Sequence, residues 1–311
     1  MTRLILFFLF LGTTLTAHPS PHIRVLFDGP TIVHHEGNAS IETPFAIASV
    51  GKLFTSVALL RIAEDGMLDL GDTAVDWLPR DVVKGLGGME GITLTHMATM
   101  TSGLPEYYWA DFVAATKTVP FAEQTPAFAA SFAFDDPTSF APGTAFEYSN
   151  TNYLLLGMVL EEATGTTYAE AIQDWVLDPL DMQDSFVFGS RPLPDSFTGG
   201  HKGWWHVRDY YDGRGYGDGG MISTAADLAI LYSALRGSDL LSKASKIALT
   251  TAPSGGSYGM GLVVGGTHVG HIGSDIGFES HIIMNMDTGQ IAVELIGEDG
   301  ADTDWPLDAI D

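Results

Sequence analysis

The chain lacks cysteine altogether and has few basic residues, and both absences exclude classes of protein. Without cysteine there are no disulfides, thiolate nucleophiles, cysteine-bound zinc sites or iron–sulfur clusters. The 311 residues contain 14 Lys and Arg against 39 Asp and Glu, which gives a formal net charge of −25. A surface of this sign repels nucleic acid and anionic membranes, so neither is expected as a partner. With 45% hydrophobic residues, the chain is nevertheless expected to fold around a sizeable core.

The N-terminus has the layout of a secretory signal peptide. Arg3 precedes an apolar run over residues 4–11, and small and polar residues follow as far as Ala17. The run is too short to span a bilayer, and no later stretch approaches that length. We therefore predict a signal peptide over 1–17 and a secreted or periplasmic protein without a stable membrane anchor. A buried N-terminal helix is the alternative.

Hydrophobic periodicity predicts an α+β fold. Two β-like stretches, 23–27 and 31–35, flank Asp28-Gly29-Pro30 and indicate a hairpin. Helical patterns cover 49–65, 153–162, 168–176 and 223–235, the last with Ser223 or Thr224 as N-cap. Strand-like segments follow over 261–264, 268–270, 281–284 and 291–296. We predict one catalytic domain over 18–311. Its N- and C-terminal segments (about 23–66 and 220–297) are expected to form an antiparallel sheet flanked by helices, and a mainly helical lobe (about 67–219) is inserted between them.

A serine and a lysine lie three residues apart at the start of the first predicted helix. This spacing places Ser49 and Lys52 on one helix face, about one turn apart. A neutral lysine amine within reach can accept the serine proton, and the helix N-terminus favours a developing anion. The pair alone is a weak signal, because such a spacing also arises by chance.

Two further motifs supply groups that suit acyl transfer. Tyr148 and Asn150 point the same way on an extended segment before a predicted helix, where a phenol can relay a proton and an amide can hold a carbonyl. His271 and Gly273 fall in the C-terminal strand region, and the glycine there allows a substrate backbone to approach closely.

In this order the motifs resemble the serine β-lactamase and penicillin-binding-protein superfamily, and within it the branch of class C β-lactamases, D-alanyl-D-alanine carboxypeptidases and esterases. The resemblance extends over about 23–297 and implies a β-lactamase/transpeptidase-like fold. It includes further segments at 45–48, 64–70, 92–94, 101–105, 219–225, 258–262 and 277–278.

The resemblance also implies roles for the motif residues. Ser49 is the expected acylated nucleophile, Lys52 its proton partner and Tyr148 the general acid/base. Asn150 is expected to position the substrate carbonyl, and His271 occupies the place of the lysine in the K-T-G motif. The backbone N–H groups of Ser49 and Ser274 are the expected oxyanion hole, beside Gly273. No cofactor and no metal is expected.

Two departures from the family pattern bear on the substrate. Ile272 stands where a threonine hydroxyl often helps to bind a substrate carboxylate, so we expect β-lactams to be poor substrates. The ends carry little sequence for the terminal helices of relatives, so part of a sheet face is expected to be bare or used in self-association.

Several alternatives remain open. The aromatic and imidazole side chains at 201–216, and those at 107–109, either line the substrate cleft or pin loops to the core. His34, His35, His268 and His271 suggest a metal, but His268 and His271 should face opposite sides of a strand, and no H-E-x-x-H is present. No G-x-S-x-G supports a Ser-His-Asp triad.

The predicted function is therefore an exported serine hydrolase. Its substrate would be a small molecule or short peptide. The reaction would cleave an ester, an amide or a D-amino-acid peptide through a Ser49 acyl-enzyme. A D-alanyl-D-alanine carboxypeptidase, a β-lactamase proper, or an inactive relative that binds cell-wall peptide are the alternatives.

Overall fold

The computed structural model describes residues 20–208, 215–237, 239–253 and 256–310. The predicted signal peptide over 1–17 lies outside the described residues. Within them, no helix has the length and apolar character needed to cross a membrane.

The core of the fold is a six-stranded antiparallel sheet built from the two ends of the chain. The strands are β1 (His22–Asp28), β2 (Thr31–Gly37), β8 (Val263–Gly265), β9 (His268–Asp275), β10 (Phe278–Asn285) and β11 (Gln290–Ile296). Their spatial order is β2-β1-β11-β10-β9-β8. The register pairs Val25 of the first strand with Val293 of the last, so the two ends of the chain meet in the middle of the sheet.

The predicted N-terminal hairpin is confirmed. β1 pairs with β2 across a turn in which Gly29 has a φ of 57°, a conformation that glycine adopts without strain. In β1, the alternate residues Ile23, Val25 and Phe27 are buried, which fixes the face that packs on the helices.

One long helix packs on the inner face of the sheet, and a second is buried among other helices. α1 (Lys52–Glu64) is buried on nearly all sides, and α8 (Ala225–Gly237) packs on β1 and β11. Thr224 Oγ1 accepts a hydrogen bond from Asp227 N at 3.1 Å, and thus caps α8 as one of the two predicted residues. α9 (Lys243–Leu249) contacts α1.

The residues between the halves of the sheet are mainly helical. Of these helices, α6 (Asn150–Thr164) packs against α1, α3 (Leu94–Ala98), α5 (Pro126–Ala130) and α7 (Tyr168–Ile172). It begins three residues before the predicted start, and Ser149 stands at its N-cap position without a capping hydrogen bond from its side chain. The helix predicted over 168–176 is shorter and continues as a wider turn over Gln173–Leu177. The helices are α2 (Arg80–Leu86), α3 (Leu94–Ala98), α4 (Ala110–Thr116), α5 (Pro126–Ala130), α6 (Asn150–Thr164) and α7 (Tyr168–Ile172).

Short strands form two further small sheets. β3 (Phe45–Ala46) pairs with β7 (Met221–Ser223), which pairs with β4 (Phe186–Val187), and β5 (His201–Lys202) pairs with β6 (Trp205–His206). The pairing of β3 with β7 brings residues 218–220 beside the segment that carries Ser49, since Ile47 N also donates to Met221 O at 3.1 Å.

The outer face of the large sheet is only partly covered. A short helix that the sequence pattern did not predict, α10 (Trp305–Ala309), packs on β1, β10 and β11. Next to it, Ile272 remains 51% exposed. The predicted fold class, an antiparallel sheet from both ends of the chain with helices flanking and interrupting it, is confirmed.

Candidate active site

Ser49 lies on a tight turn between β3 and α1. The preceding residue, Ala48, has a φ of 45°, a left-handed conformation that costs energy for a residue with a Cβ. The short 3-10 turn Ala48–Gly51 then leads directly into α1. Gly219 permits this turn, because a Cβ there would lie 3.1 Å from the carbonyl carbon of Ala48. Such local strain is typical of residues held in place for chemistry.

The side chain of Lys52 is completely buried beneath Ser49. Its Nζ donates to Ser49 Oγ at 3.1 Å, to Asn150 Oδ1 at 2.8 Å and to the main-chain oxygen of Asp218. These contacts use all three donors of an ammonium group. The pair that the S-x-x-K spacing predicts is thus in direct contact, and Asn150 joins it from a distant part of the sequence.

Asn150 is held by a carboxylate as well as by the lysine. Glu106 Oε2 accepts hydrogen bonds from Asn150 N at 2.7 Å and from its Nδ2 at 3.1 Å. The amide therefore presents its oxygen to Lys52 and its nitrogen to Glu106. Burial raises the pKa of Glu106, while its hydrogen bonds from backbone N–H groups oppose that shift.

Tyr148 lies at the surface of the site and is 38% exposed. Its ring centroid is 5.1 Å from Lys52 Nζ, and its edge packs against Tyr258 with 5.9 Å between centroids. Among the described residues, Tyr148 Oη forms no hydrogen bond. The phenol therefore contacts the lysine through its ring and keeps its hydroxyl free to meet a substrate.

His271 is buried and neutral. Its Nε2 lies 2.9 Å from Tyr258 Oη, and its Nδ1 lies 2.6 Å from the main-chain oxygen of Ile272. Burial, together with the nearby charge of Lys52, lowers the pKa of His271 to about 3. The imidazole, which the resemblance assigns to the position of the K-T-G lysine, carries no positive charge at neutral pH.

The strand β9 lies directly against the turn that carries Ser49. A Cβ on Gly273 would be 2.4 Å from Ile47 O, so only glycine fits at this approach. Ser280 Oγ on the neighbouring strand also donates to Ile47 O, at 2.8 Å. β8 pairs with β9 only as far as Gly270. The rest of that edge of β9, which includes Ser274, is not paired with β8.

Ser49 opens into a cavity of about 310 Å³. Of the predicted site residues, Asn150 and Ser274 also line this cavity, whereas Tyr148 and His271 do not. Both aromatic segments contribute walls, since the lining includes Tyr107, Tyr108, Phe112, Trp205 and Tyr216.

The aromatic side chains do not all follow the two interpretations that the sequence left open. Trp204 and Trp109 are exposed and outside the cavity lining, at 97% and 62%. Tyr216 serves both purposes, because it also anchors its segment through Oη to Gln124 O at 2.7 Å. Tyr210 and Tyr211 lie outside the described residues.

A second hollow of about 410 Å³ lies on the outer face of the sheet. It is mostly apolar, and Ile272, His268 and His281 line it together with Leu307 and Ile310. Ile272 thus faces this hollow and not the cavity of Ser49. Within the described ranges, no group of three His, Asp or Glu side chains is placed to hold a metal ion.

Sequence reasoning did not single out two carboxylates of the site, Glu106 and Asp218. Both adjoin segments that the resemblance does cover, since Glu106 follows Pro105 and Asp218 precedes Gly219. A buried carboxylate next to a motif was the available signal, but the sequence does not show which carboxylates are buried.

The fold and the contact between Ser49 and Lys52 have the arrangement of a protein of the β-lactamase/transpeptidase type. The family model described as Beta-lactamase matches residues 23–309. The chain therefore belongs to the beta-lactamase family.

Relatives with known names agree with this assignment. Penicillin-binding protein 4* of Bacillus subtilis (strain 168) is 30% identical over 224 residues, which cover 65% of this chain and 47% of the relative. The chain thus spans about half the length of that relative. A D-stereospecific amidohydrolase from Streptomyces sp. is 26% identical with a TM-score of 0.79, and the match covers 93% of this chain and 92% of the other. A penicillin-binding protein from Bacillus halodurans is 25% identical with a TM-score of 0.77, covering 90% and 91%.

Proposed function

We propose that this protein hydrolyses esters, amides or D-amino-acid peptides through an acyl-enzyme on Ser49. The observation that carries the proposal is the set of hydrogen bonds around Lys52 Nζ, which joins Ser49 Oγ, Asn150 Oδ1 and Asp218 O. The similarity to an amidohydrolase and to penicillin-binding proteins supports the same reaction class.

The contacts around Lys52 suit a proton acceptor. A neutral amine keeps two N–H donors and one lone pair. If Asn150 Oδ1 and Asp218 O take the two donors, the lone pair is directed at the remaining neighbour, Ser49 Oγ. Lys52 then takes the hydroxyl proton as Ser49 Oγ bonds to the substrate carbonyl carbon.

The rest of the reaction follows from the groups beside Ser49 and Lys52. The carbonyl oxygen becomes an oxyanion that the backbone N–H groups of Ser49 and Ser274 stabilise, and the leaving group departs with a proton relayed by Lys52 or Tyr148. Water then attacks the acyl-enzyme, passes its proton back through the same groups, and releases the acid and free Ser49.

Covalent labelling tests the nucleophile. We expect a fluorophosphonate probe to add one adduct to the wild type, located on Ser49 by peptide mass spectrometry. Ser49→Ala should abolish the adduct. The control Ser131→Ala should retain it, because Ser131 is an exposed serine whose hydroxyl donates to Phe128 O. A folded wild type without an adduct would favour the inactive, peptide-binding relative instead.

A side-by-side substrate panel tests the finer assignment. We expect rates to fall in the order p-nitrophenyl acetate, a D-Ala-D-Ala peptide, nitrocefin. The two carboxylates beside Lys52, Glu106 and Asp218, disfavour substrates that bring a further carboxylate into the site. Clear turnover of nitrocefin would overturn this order and support a β-lactamase proper.

Export is a separate part of the proposal and depends on residues 1–17 alone. Expression with the full sequence should yield a mature protein that begins at His18, read by N-terminal sequencing of the secreted or periplasmic fraction. Retention of Met1 on protein that stays in the cytoplasm would contradict it.

A further inference from the structure

The charges around the catalytic lysine are unequal. Two carboxylates, Glu106 and Asp218, interact electrostatically with Lys52. Among the described residues, no second cation is an electrostatic partner of either carboxylate. His271 is neutral there because burial lowers its pKa to about 3. An excess negative charge away from water is unfavourable unless a further positive group pairs with it.

The two carboxylates differ in what they can still bind. Glu106 already accepts three hydrogen bonds, because Oε1 accepts from Tyr108 N at 2.7 Å and Oε2 accepts from both nitrogens of Asn150. Asp218 lines the cavity of Ser49, and its Oδ2 accepts from Tyr107 Oη at 2.8 Å. Since a carboxylate has about four acceptor positions, Asp218 retains capacity for a ligand donor.

Asp218 is also fixed close to the reacting groups. Its main-chain oxygen accepts from Lys52 Nζ, and the following residue, Gly219, packs against the turn at Ala48 and Ser49. A group bound by the Asp218 side chain would therefore lie near the scissile carbonyl. The cavity wall beside it is aromatic, with Tyr107 and Phe112 in edge contact at 4.9 Å.

Building on the acyl-enzyme function above, we propose that Asp218 binds a protonated amine in the acyl part of the substrate. The preferred substrates are then amides, peptides or esters of amino acids with a free amino group, and the aromatic wall takes an apolar side chain. Tyr107 orients the carboxylate, and its ring adds a favourable face for the ammonium group. Lys117 and Lys202 also line the cavity, and Lys202 Nζ is already paired with Asp299 Oδ2 at 3.0 Å.

Matched substrates test this proposal directly. D-Phenylalanine p-nitroanilide carries the amine, its N-acetyl derivative masks it, and 3-phenylpropionyl p-nitroanilide lacks it. We expect kcat/KM for the free amine to exceed that of the other two by at least about tenfold, as for a partly buried charge pair. Equal or higher values for the acetylated substrate would overturn the proposal and leave the Ser49 reaction intact.

Variants assign the preference to a residue. Asp218→Asn keeps the shape and an acceptor for Tyr107 but removes the charge, so the ratio of kcat/KM between free and acetylated substrates should fall to about one. Asp275→Asn, which alters another carboxylate residue of the same cavity lining, should keep the ratio. If Asp218→Asn does not fold, Tyr107→Phe should lower the ratio through loss of the orienting hydrogen bond.

Competition with the covalent probe covers the case in which no anilide is cleaved. D-Phenylalanine amide should slow fluorophosphonate labelling of Ser49, and N-acetyl-D-phenylalanine amide should not. Equal protection by both, or by neither, would refute the ammonium site. Absence of any labelling would instead refute the underlying function.

Discussion

Lys52 Nζ donates a hydrogen bond to Asn150 Oδ1 at 2.8 Å, although 98 positions separate the two residues in the chain. One lies in the first turn of α1 and the other begins α6, so the contact joins the two helices at their N-terminal ends. The lysine is fully buried, and its surroundings therefore depend on this contact and on the carboxylates behind it.

Replacing Lys52 should make the stability of the protein depend strongly on pH. Attraction by Lys52 lowers the pKa values of Glu106 and Asp218, which burial raises. In Lys52→Met both pKa values would rise further above those of the unfolded chain, so the folded state binds protons that the unfolded state releases, and stability falls as pH rises. We expect a loss of about 3 kcal/mol at pH 8 and a smaller loss at pH 5.

Thermal unfolding at pH 5, 6, 7 and 8 provides the measurement. Lys84→Met, at an exposed position of α2, is the control for loss of a positive charge, and its curve should follow the wild type. If Lys52→Met lost the same stability at every pH, the pKa values of the two carboxylates would not depend on the lysine.

Adding a methyl group at Gly273 should damage the site without touching a catalytic side chain. The Cβ would lie 2.4 Å from both Ile47 O and Ser280 Oγ, so β9 must move away from the Ser49 turn. We expect Gly273→Ala to slow fluorophosphonate labelling by about a hundredfold, because the oxyanion donors on Ser49 and Ser274 separate. Gly265→Ala, where nothing lies within 4 Å, should leave labelling unchanged.

The acid side of the stability curve should contain a contribution from His271. Burial lowers the pKa of His271 from its ordinary value of 6.5 to about 3 in the folded protein, so unfolding takes up a proton between these values and stability decreases as the pH is lowered. His271→Gln should flatten the dependence of the unfolding free energy on pH below 6 by up to about 1.4 kcal/mol per pH unit.

Urea unfolding between pH 4.5 and 7 checks this slope. Ile272→Gln introduces the same side chain on the other face of the strand without removing a histidine, and it should retain the steep dependence. An unchanged slope in His271→Gln would mean that the imidazole is protonated in the folded state.

Glu106 should act on catalysis through Asn150. The Glu106 carboxylate accepts hydrogen bonds from three N–H groups. In Glu106→Gln, one of these N–H groups loses its acceptor, and the Asn150 amide is no longer fixed in one orientation. We expect kcat to fall about tenfold with KM nearly unchanged, since the effect is on the position of Lys52. Steady-state kinetics on an ester would decide; a rise in KM at constant kcat would show that Glu106 contacts the substrate itself.

Local patterns predicted those parts of the fold that depend on neighbours in sequence. The hairpin of β1 and β2 follows from alternation around Gly29, and the α8 cap follows from Thr224. The strand predicted over 268–270 continues to Asp275, because β9 is hydrogen-bonded to β10 along its whole length. Its own glycine-rich sequence does not indicate that length. α10 was not predicted, since five residues around a proline form a helix here only by packing on the sheet.

The sequence by itself determined the family and the pairing of Ser49 with Lys52, because three residues in a helix set their distance whatever surrounds them. Tertiary structure alone decided which carboxylates lie beside that lysine and that the imidazole at 271 is uncharged. Burial and the approach of distant segments control hydrogen bonding and pKa, and neither is encoded in local spacing.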